Sequence, residues 1–220
     1  MPVLFLVISG CGQNTSTDKT NRKSVSVAGV PPGTIVIDGR ANDWENVSAI
    51  TPQVGLTDRG EMPPKIDLHS VKVTHDNKYI YFLLQAQPSG GGVVEIYVDA
   101  DGEKATGTSI PVVEKVVLDA GWDFVIKLTY AAGPVLTTQV EKFIVLPNGY
   151  KSELAFEHKN SWEDRSYTAT SRQFQEFRIP LNAMNMTPPT DVAFLFTEGW
   201  GGMRTKFDKH CQFIKATLEK

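Results

Sequence analysis

After residue 30, apolar and polar residues alternate with a period of two along most of the chain. In Ser70–Thr74, Val71 and Val73 fall on one face, with Lys72 and Thr74 on the other. His75-Asp76-Asn77-Lys78 breaks the pattern and Tyr79–Gln87 (YIYFLLQAQ) resumes it, which predicts a β-hairpin closed by an Asp/Asn turn. Gly90-Gly91-Gly92 interrupts again before Val93–Asp99 (VVEIYVD). The same alternation predicts strands over Thr34–Asp38, Asp123–Tyr130, Val135–Leu146, Lys151–His158, Gln175–Ile179, Asp191–Thr197 and Gln212–Thr217. Phe124, Ile126 and Leu128 share a face opposite Lys127 and Thr129, and Val192, Phe194 and Phe196 share another. Helical periodicity is scarce; Val112–Ala120 (VVEKVVLDA) reads equally as a short helix or a strand. Many short strands separated by turn signals predict an all-β, antiparallel β-sandwich of immunoglobulin-like or jelly-roll type. Within it, Asp38-Gly39 should end a buried strand in a tight turn. Trp44 should pack back over the sandwich edge. Glu176–Leu181 should be an edge strand ended by Pro180, which cannot donate to a ladder.

The first residues follow a different pattern. Leu6-Val7-Ile8-Ser9-Gly10-Cys11 is an apolar run, two small residues and a cysteine. It resembles the bacterial lipobox. That resemblance implies a signal peptide over residues 1–10, lipidation of Cys11 (palmitate among the acyl chains) and an extracytoplasmic lipoprotein held at the cell-envelope membrane. Gly12–Val27 (GQNTSTDKTNRKSVSV) is polar and offers almost nothing to bury, so residues 11–29 read as the lipidated cysteine and a flexible tether. About 16 such residues reach roughly 20–25 Å. Residues 30–220 then form a single sandwich domain, and no second apolar run is long enough to cross a bilayer.

Composition narrows the chemistry. Apolar residues make up 41% and charged residues 21% of the chain, ordinary for one packed domain, and a net charge of -3 gives no electrostatic basis for nucleic-acid binding. There are two cysteines; with Cys11 lipidated, Cys211 has no disulfide partner. The four histidines are scattered, with neither HExxH nor CxxC, so nothing supports a zinc site.

Two constellations carry candidate chemistry. Asp99 and Asp101 are alternate residues at a strand end, so their carboxylates converge, and Thr106-Gly107 and Asp123 lie close in the pattern. Converging like charges need a cation or hydrogen-bond donors between them. Calcium, which takes six to eight oxygens, suits Asp99, Asp101, Thr106 and Asp123 as a structural cofactor; a loop clamped by bonds to backbone N–H groups is the alternative. The second constellation is aromatic. Indoles stack on the apolar faces of sugar rings while neighbouring polar groups meet the hydroxyls. Trp200, in Glu198-Gly199-Trp200-Gly201-Gly202-Met203-Arg204, reads as a ligand-binding loop indole with Glu198 and Arg204 beside it. Trp162 lies in a polar stretch, and Trp122 flanks the acidic loop.

Four segments now line up in order. Ile35-Val36-Ile37-Asp38-Gly39 precedes Asp43-Trp44. A charged turn, His75–Lys78, runs into Tyr79-Ile80-Tyr81-Phe82. Glu95–Asp101 leads on to Ala105-Thr106-Gly107 and Asp123-Phe124, and Glu176–Leu181 comes late. The set resembles the carbohydrate-binding module family 9-like (DOMON-like) β-sandwich, over about residues 30–220. The resemblance implies the sandwich fold, calcium near such loops and a non-catalytic binding module for carbohydrate. A facing pair of tryptophans forming a complete sugar clamp is not matched residue by residue.

Other functions compete. A structural or assembly lipoprotein without sugar binding fits the same pattern. Some DOMON domains hold haem through Met and His, and Met62, Met184, Met186, Met203, His69, His75, His158 and His210 are available, though no pair stands in a recognisable motif. An enzyme lacks support: GxSxG, a nucleophile–base motif and a phosphate loop are all missing, and Asp99/Asp101 look like loop ligands rather than a glycosidase pair.

Overall fold

A computed structural model describes residues 24–50, 66–88, 92–103, 106–108, 121–130, 135–161, 164–171, 173–200, 203–206 and 213–220. The alternation resolves into strands β1 (Val25–Val27), β2 (Ile66–His75), β3 (Tyr79–Pro88), β4 (Gly92–Asp99), β5 (Phe124–Tyr130) and β6 (Val135–Leu146). These are followed by β7 (Gly149–Lys159), β8 (Thr168–Thr170), β9 (Phe174–Pro180), β10 (Thr190–Trp200), β11 (Met203–Lys206) and β12 (Ile214–Leu218). They form two sheets. The larger runs β1-β12-β10-β4-β5-β6-β7, with β11 also paired to β10; the smaller runs β2-β3-β9-β8. Every pairing is antiparallel except β1 with β12. The all-β antiparallel sandwich expected from the sequence is the fold.

The core fills the space between the sheets. Ile80, Phe82, Leu84, Phe177 and Ile179 of the smaller sheet meet Val94, Ile96, Val98, Ile126, Leu128, Phe194 and others of the larger. Phe82 stacks on Phe177 at 4.8 Å and meets Phe194 edge-on at 5.6 Å. Each such side chain, fully buried, stabilises the fold by roughly 1.5–3 kcal/mol. Met184 and Met186 pack into this same core.

Three expectations are corrected. Thr34–Asp38 is not a strand. Residues 30–48 instead form a strap over the outer face of the smaller sheet, through bends and a short 3-10 turn, Asn42–Trp44, before Ala49 and Ile50 bridge to β2 and Ile50 enters the inter-sheet core. Ile35 and Trp44 of the strap pack on Tyr81 and Leu83. The reason is that the Asp38 and Gly39 amides, free for a ladder in a strand, donate to the Glu176 carboxylate at 2.9 and 3.0 Å. Gly39 does adopt the positive φ (79°) of a turn, and Trp44 is fully buried in packing, as expected. Second, β9 is not an edge strand: it lies between β3 and β8, and the three residues of β8 are too short to show a period. Pro180 does end β9, where the 3-10 turn Leu181–Met184 begins. Third, pairing starts at Val25, so β1 lies within the stretch read as tether. Val112–Ala120 lies outside the described residues.

Candidate functional site

The acidic residues come together where β4 ends. Asp99, Asp101 and Asp123 each offer a carboxylate oxygen, and those oxygens all lie within 4.8 Å of one another. The local chain is tightly fixed. Asp99 Oδ1 accepts from the Gly102 amide at 2.8 Å, Asp101 Oδ1 from the Glu103 amide at 2.8 Å, and Asp123 Oδ2 from the Ala100 amide at 3.0 Å. The Thr106 hydroxyl reaches both Asp101 oxygens at 2.9 Å. Gly107 (φ 68°) lets the loop approach β5: a Cβ there would sit 2.7 Å from the Trp122 carbonyl oxygen and 2.8 Å from Asp123 Oδ1.

Electrostatics disfavour three charges in so small a space. Asp99 is only 2% exposed. Burial, with the nearby charges of Asp101 and Asp123, pushes its carboxyl up to about 6, against the pull of the Gly102 hydrogen bond. Burial also raises Asp123, again with Asp101 adding to it. Backbone N–H groups thus clamp the loop, and three carboxylate oxygens converge at its centre.

A second assembly lies on the outer face of the larger sheet. Register places Lys206, Thr197, Glu95, Lys127, Gln139 and Glu157 in one cross-strand row over β11, β10, β4, β5, β6 and β7. Six strands at about 4.8 Å spacing span roughly 24 Å. Glu95 is 7% exposed and accepts from the Tyr97 hydroxyl at 2.8 Å. Lys127 Nζ lies 2.7 Å from Glu141 Oε1, and Gln139 donates to Glu157 Oε1 at 2.6 Å. The period-two pattern sets Lys127 on the face opposite the apolar one but does not by itself mark the row as a site. The signal was present: Glu95 and Lys127 occupy the alternate positions of strands whose other face is wholly apolar.

The expected indole site is only partly visible. Glu198, Trp200 and Arg204 sit on a strand hairpin, β10–β11, rather than in a loop. Trp200 pairs with Met203 and Glu198 with Thr205, while Arg204 pairs with Gly199, one position out of phase with the other two. The side chains of Glu198, Trp200 and Arg204 lie outside the described residues, as does Trp162. Trp122 is 3% exposed and packs edge-on against Tyr97 at 4.8 Å and Phe143 at 4.4 Å. Of the haem-ligand candidates, Met184 and Met186 are core residues and His75 is buried under Gly29; Met62 and His210 lie outside the described residues.

No protein-family model matches this chain, and no curated protein matches it. Among solved structures, it is similar to a carbohydrate binding module of family 9 from Caldicellulosiruptor kristjanssonii, determined in complex with cellotriose. The TM-score is 0.42 at 17% identity, over 90% of this chain and 94% of that one.

Proposed function

We propose that this chain is a non-catalytic carbohydrate-binding module, carried outside the cytoplasm on a lipid attached to Cys11. The observation that carries the reading is the polar row on the outer face of the larger sheet. Packing alone would favour apolar residues where Glu95 and Thr197 are buried. Acceptors and donors alternate along the row instead, and Glu95, Lys127 and Gln139 are held by their neighbours. A row fixed in this way suits a ligand that carries hydroxyls at regular intervals and loses little side-chain entropy on binding. The β10–β11 hairpin continues the row at Lys206 and, opposite Gly199, at Arg204; Glu198 and Trp200 hold the alternate positions at the same end of the sheet, in phase with the other face. In this reading the row meets the sugar hydroxyls and Trp200 stacks on a ring that reaches round the hairpin end of the sheet.

The acidic loop plays a structural part. Calcium held by Asp99, Asp101 and Asp123, with Thr106 beside them, would neutralise three crowded carboxylates and fix the end of β4 against β5. Three acids within 4.8 Å suit one cation; glycoside hydrolysis needs two carboxyls set about 5–9.5 Å apart across a substrate.

A glycan array probed with residues 12–220 tests the sugar reading. Binding to a defined oligosaccharide, lost in Trp200→Ala with the melting temperature within a degree or two, is the expected result. An array without binding leaves a structural lipoprotein as the better account. The anchor is tested separately: Cys11→Ala should block processing and release or strand the protein, and unchanged fractionation would exclude lipidation.

A further inference from the structure

The outer edge of the larger sheet has the properties of an interface. Among the described strands, β7 is the last in this sheet. Residues 149–155 are all exposed, and two of them, Tyr150 (55%) and Leu154 (58%), are large and apolar. The direction of the backbone follows from the neighbouring strand. Phe143 of β6 donates its amide to the Asp123 carbonyl, on the β5 side. In an antiparallel ladder a residue's N–H and C=O point the same way. The register partner of Phe143 is Ser152, so the Ser152 backbone groups are directed away from the sheet. Those of Tyr150 and Leu154, two residues to either side, are directed the same way.

We propose that β7 pairs antiparallel with β7 of a second copy of this chain, about a two-fold axis at Ser152. The sequence around that axis is self-complementary. Tyr150 falls opposite the partner's Leu154, and Leu154 opposite the partner's Tyr150, so the exposed apolar side chains cover each other. Lys151 falls opposite the partner's Glu153, and Glu153 opposite the partner's Lys151. Within one chain Lys151 Nζ and Glu153 Oε1 are already 2.6 Å apart on one face of the strand, so the pair across the axis builds an alternating cluster of four charges. Charge disfavours one neighbouring register. An axis at Ala155 would set Lys151 against the partner's Lys159 and Glu153 against the partner's Glu157, and directly opposed like charges are unfavourable. Charges on an edge strand ordinarily repel chance partners; here their order admits this strand itself.

Sedimentation equilibrium of the full chain carrying Cys11→Ser tests the proposal. The expected result is a monomer–dimer equilibrium, the dimer having twice the 24.3 kDa chain mass. Lys151→Glu opposes like charges twice across the axis and should weaken the dimer about tenfold, as should Glu153→Lys. The double variant Lys151→Glu/Glu153→Lys restores opposite charges and should return the dimer to within about threefold of the original. Leu154→Asp, at an exposed position, should weaken it about tenfold without lowering the melting temperature. A monomer at every concentration up to about 1 mM, an affinity in the weakest range for a specific contact, overturns the proposal. So does a dimer indifferent to the single reversals, or a double variant no tighter than either single one.

Discussion

Glu176 shows how one buried carboxylate can hold a whole segment in place. It is fully buried, and its two oxygens accept from the amides of Asp38 and Gly39 and from Trp44 Nε1 at 2.6 Å. Burial pushes its carboxyl up, against the pull of those bonds. Glu176→Ala would leave two buried donors, Trp44 Nε1 and the Gly39 amide, and the part-buried Asp38 amide without a partner, and should cost at least about 3 kcal/mol in urea unfolding. A loss under about 1 kcal/mol would mean that the strap is held by apolar packing alone. Asp99 allows a second test at this scale. Its folded value, about 6, lies above the ordinary 3.8, so the folded protein binds that proton more tightly. The resulting stabilisation is present below about pH 4 and is lost as the pH rises to about 6; about two units amount to roughly 3 kcal/mol. In chelator, Asp99→Asn should flatten this fall and be the more stable form at pH 7. Adding calcium should raise the melting temperature of the parent and not of the variant. A variant less stable than the parent in chelator at every pH would make Asp99 only a clamp for its loop.

The elements differ in how far the sequence announced them. Strands β3 to β7 and β10 alternate strongly, and each lies within a few residues of where that pattern puts it. Strand β8 has three residues and β1 pairs in parallel at the sheet margin, so neither shows a period long enough to read. Thr34–Asp38 alternates like a strand but loses its ladder to Glu176, a residue more than 130 positions away; no local pattern carries that contact. The acidic loop was legible because Asp99 and Asp101 share a strand face and Gly107 marks a turn. Of the polar row only single members were legible, Glu95 and Lys127 at alternate strand positions; the row itself exists only once six strands are in register. Gly107 carries the prediction at this scale. Its φ is 68°, and an alanine Cβ would stand 2.7 Å from the Trp122 carbonyl oxygen. Gly107→Ala should therefore destabilise the domain by about 1–3 kcal/mol and weaken calcium binding with it. An alanine variant as stable as the parent would show that the loop does not need its close approach to β5.

At the scale of the molecule, the two faces of the sandwich do different work. The inner faces are mainly apolar and hold the sheets together, with Gln175 and the Thr138–Thr168 hydroxyl pair, 2.7 Å apart, as buried polar members. The strap covers the outer face of the smaller sheet. The outer face of the larger sheet combines a buried aromatic patch, Tyr97 with Trp122 and Phe143, with the polar row from Thr197 to Glu157. That is the face proposed above for ligand recognition. The most direct test is calorimetric titration of the strongest glycan from the array into the parent chain, Glu95→Gln and Lys127→Met. The account predicts measurable binding by the parent and at least about a tenfold loss in each variant, roughly 1.4 kcal/mol, with melting temperatures close to the parent's. Binding of equal strength in all three would contradict it.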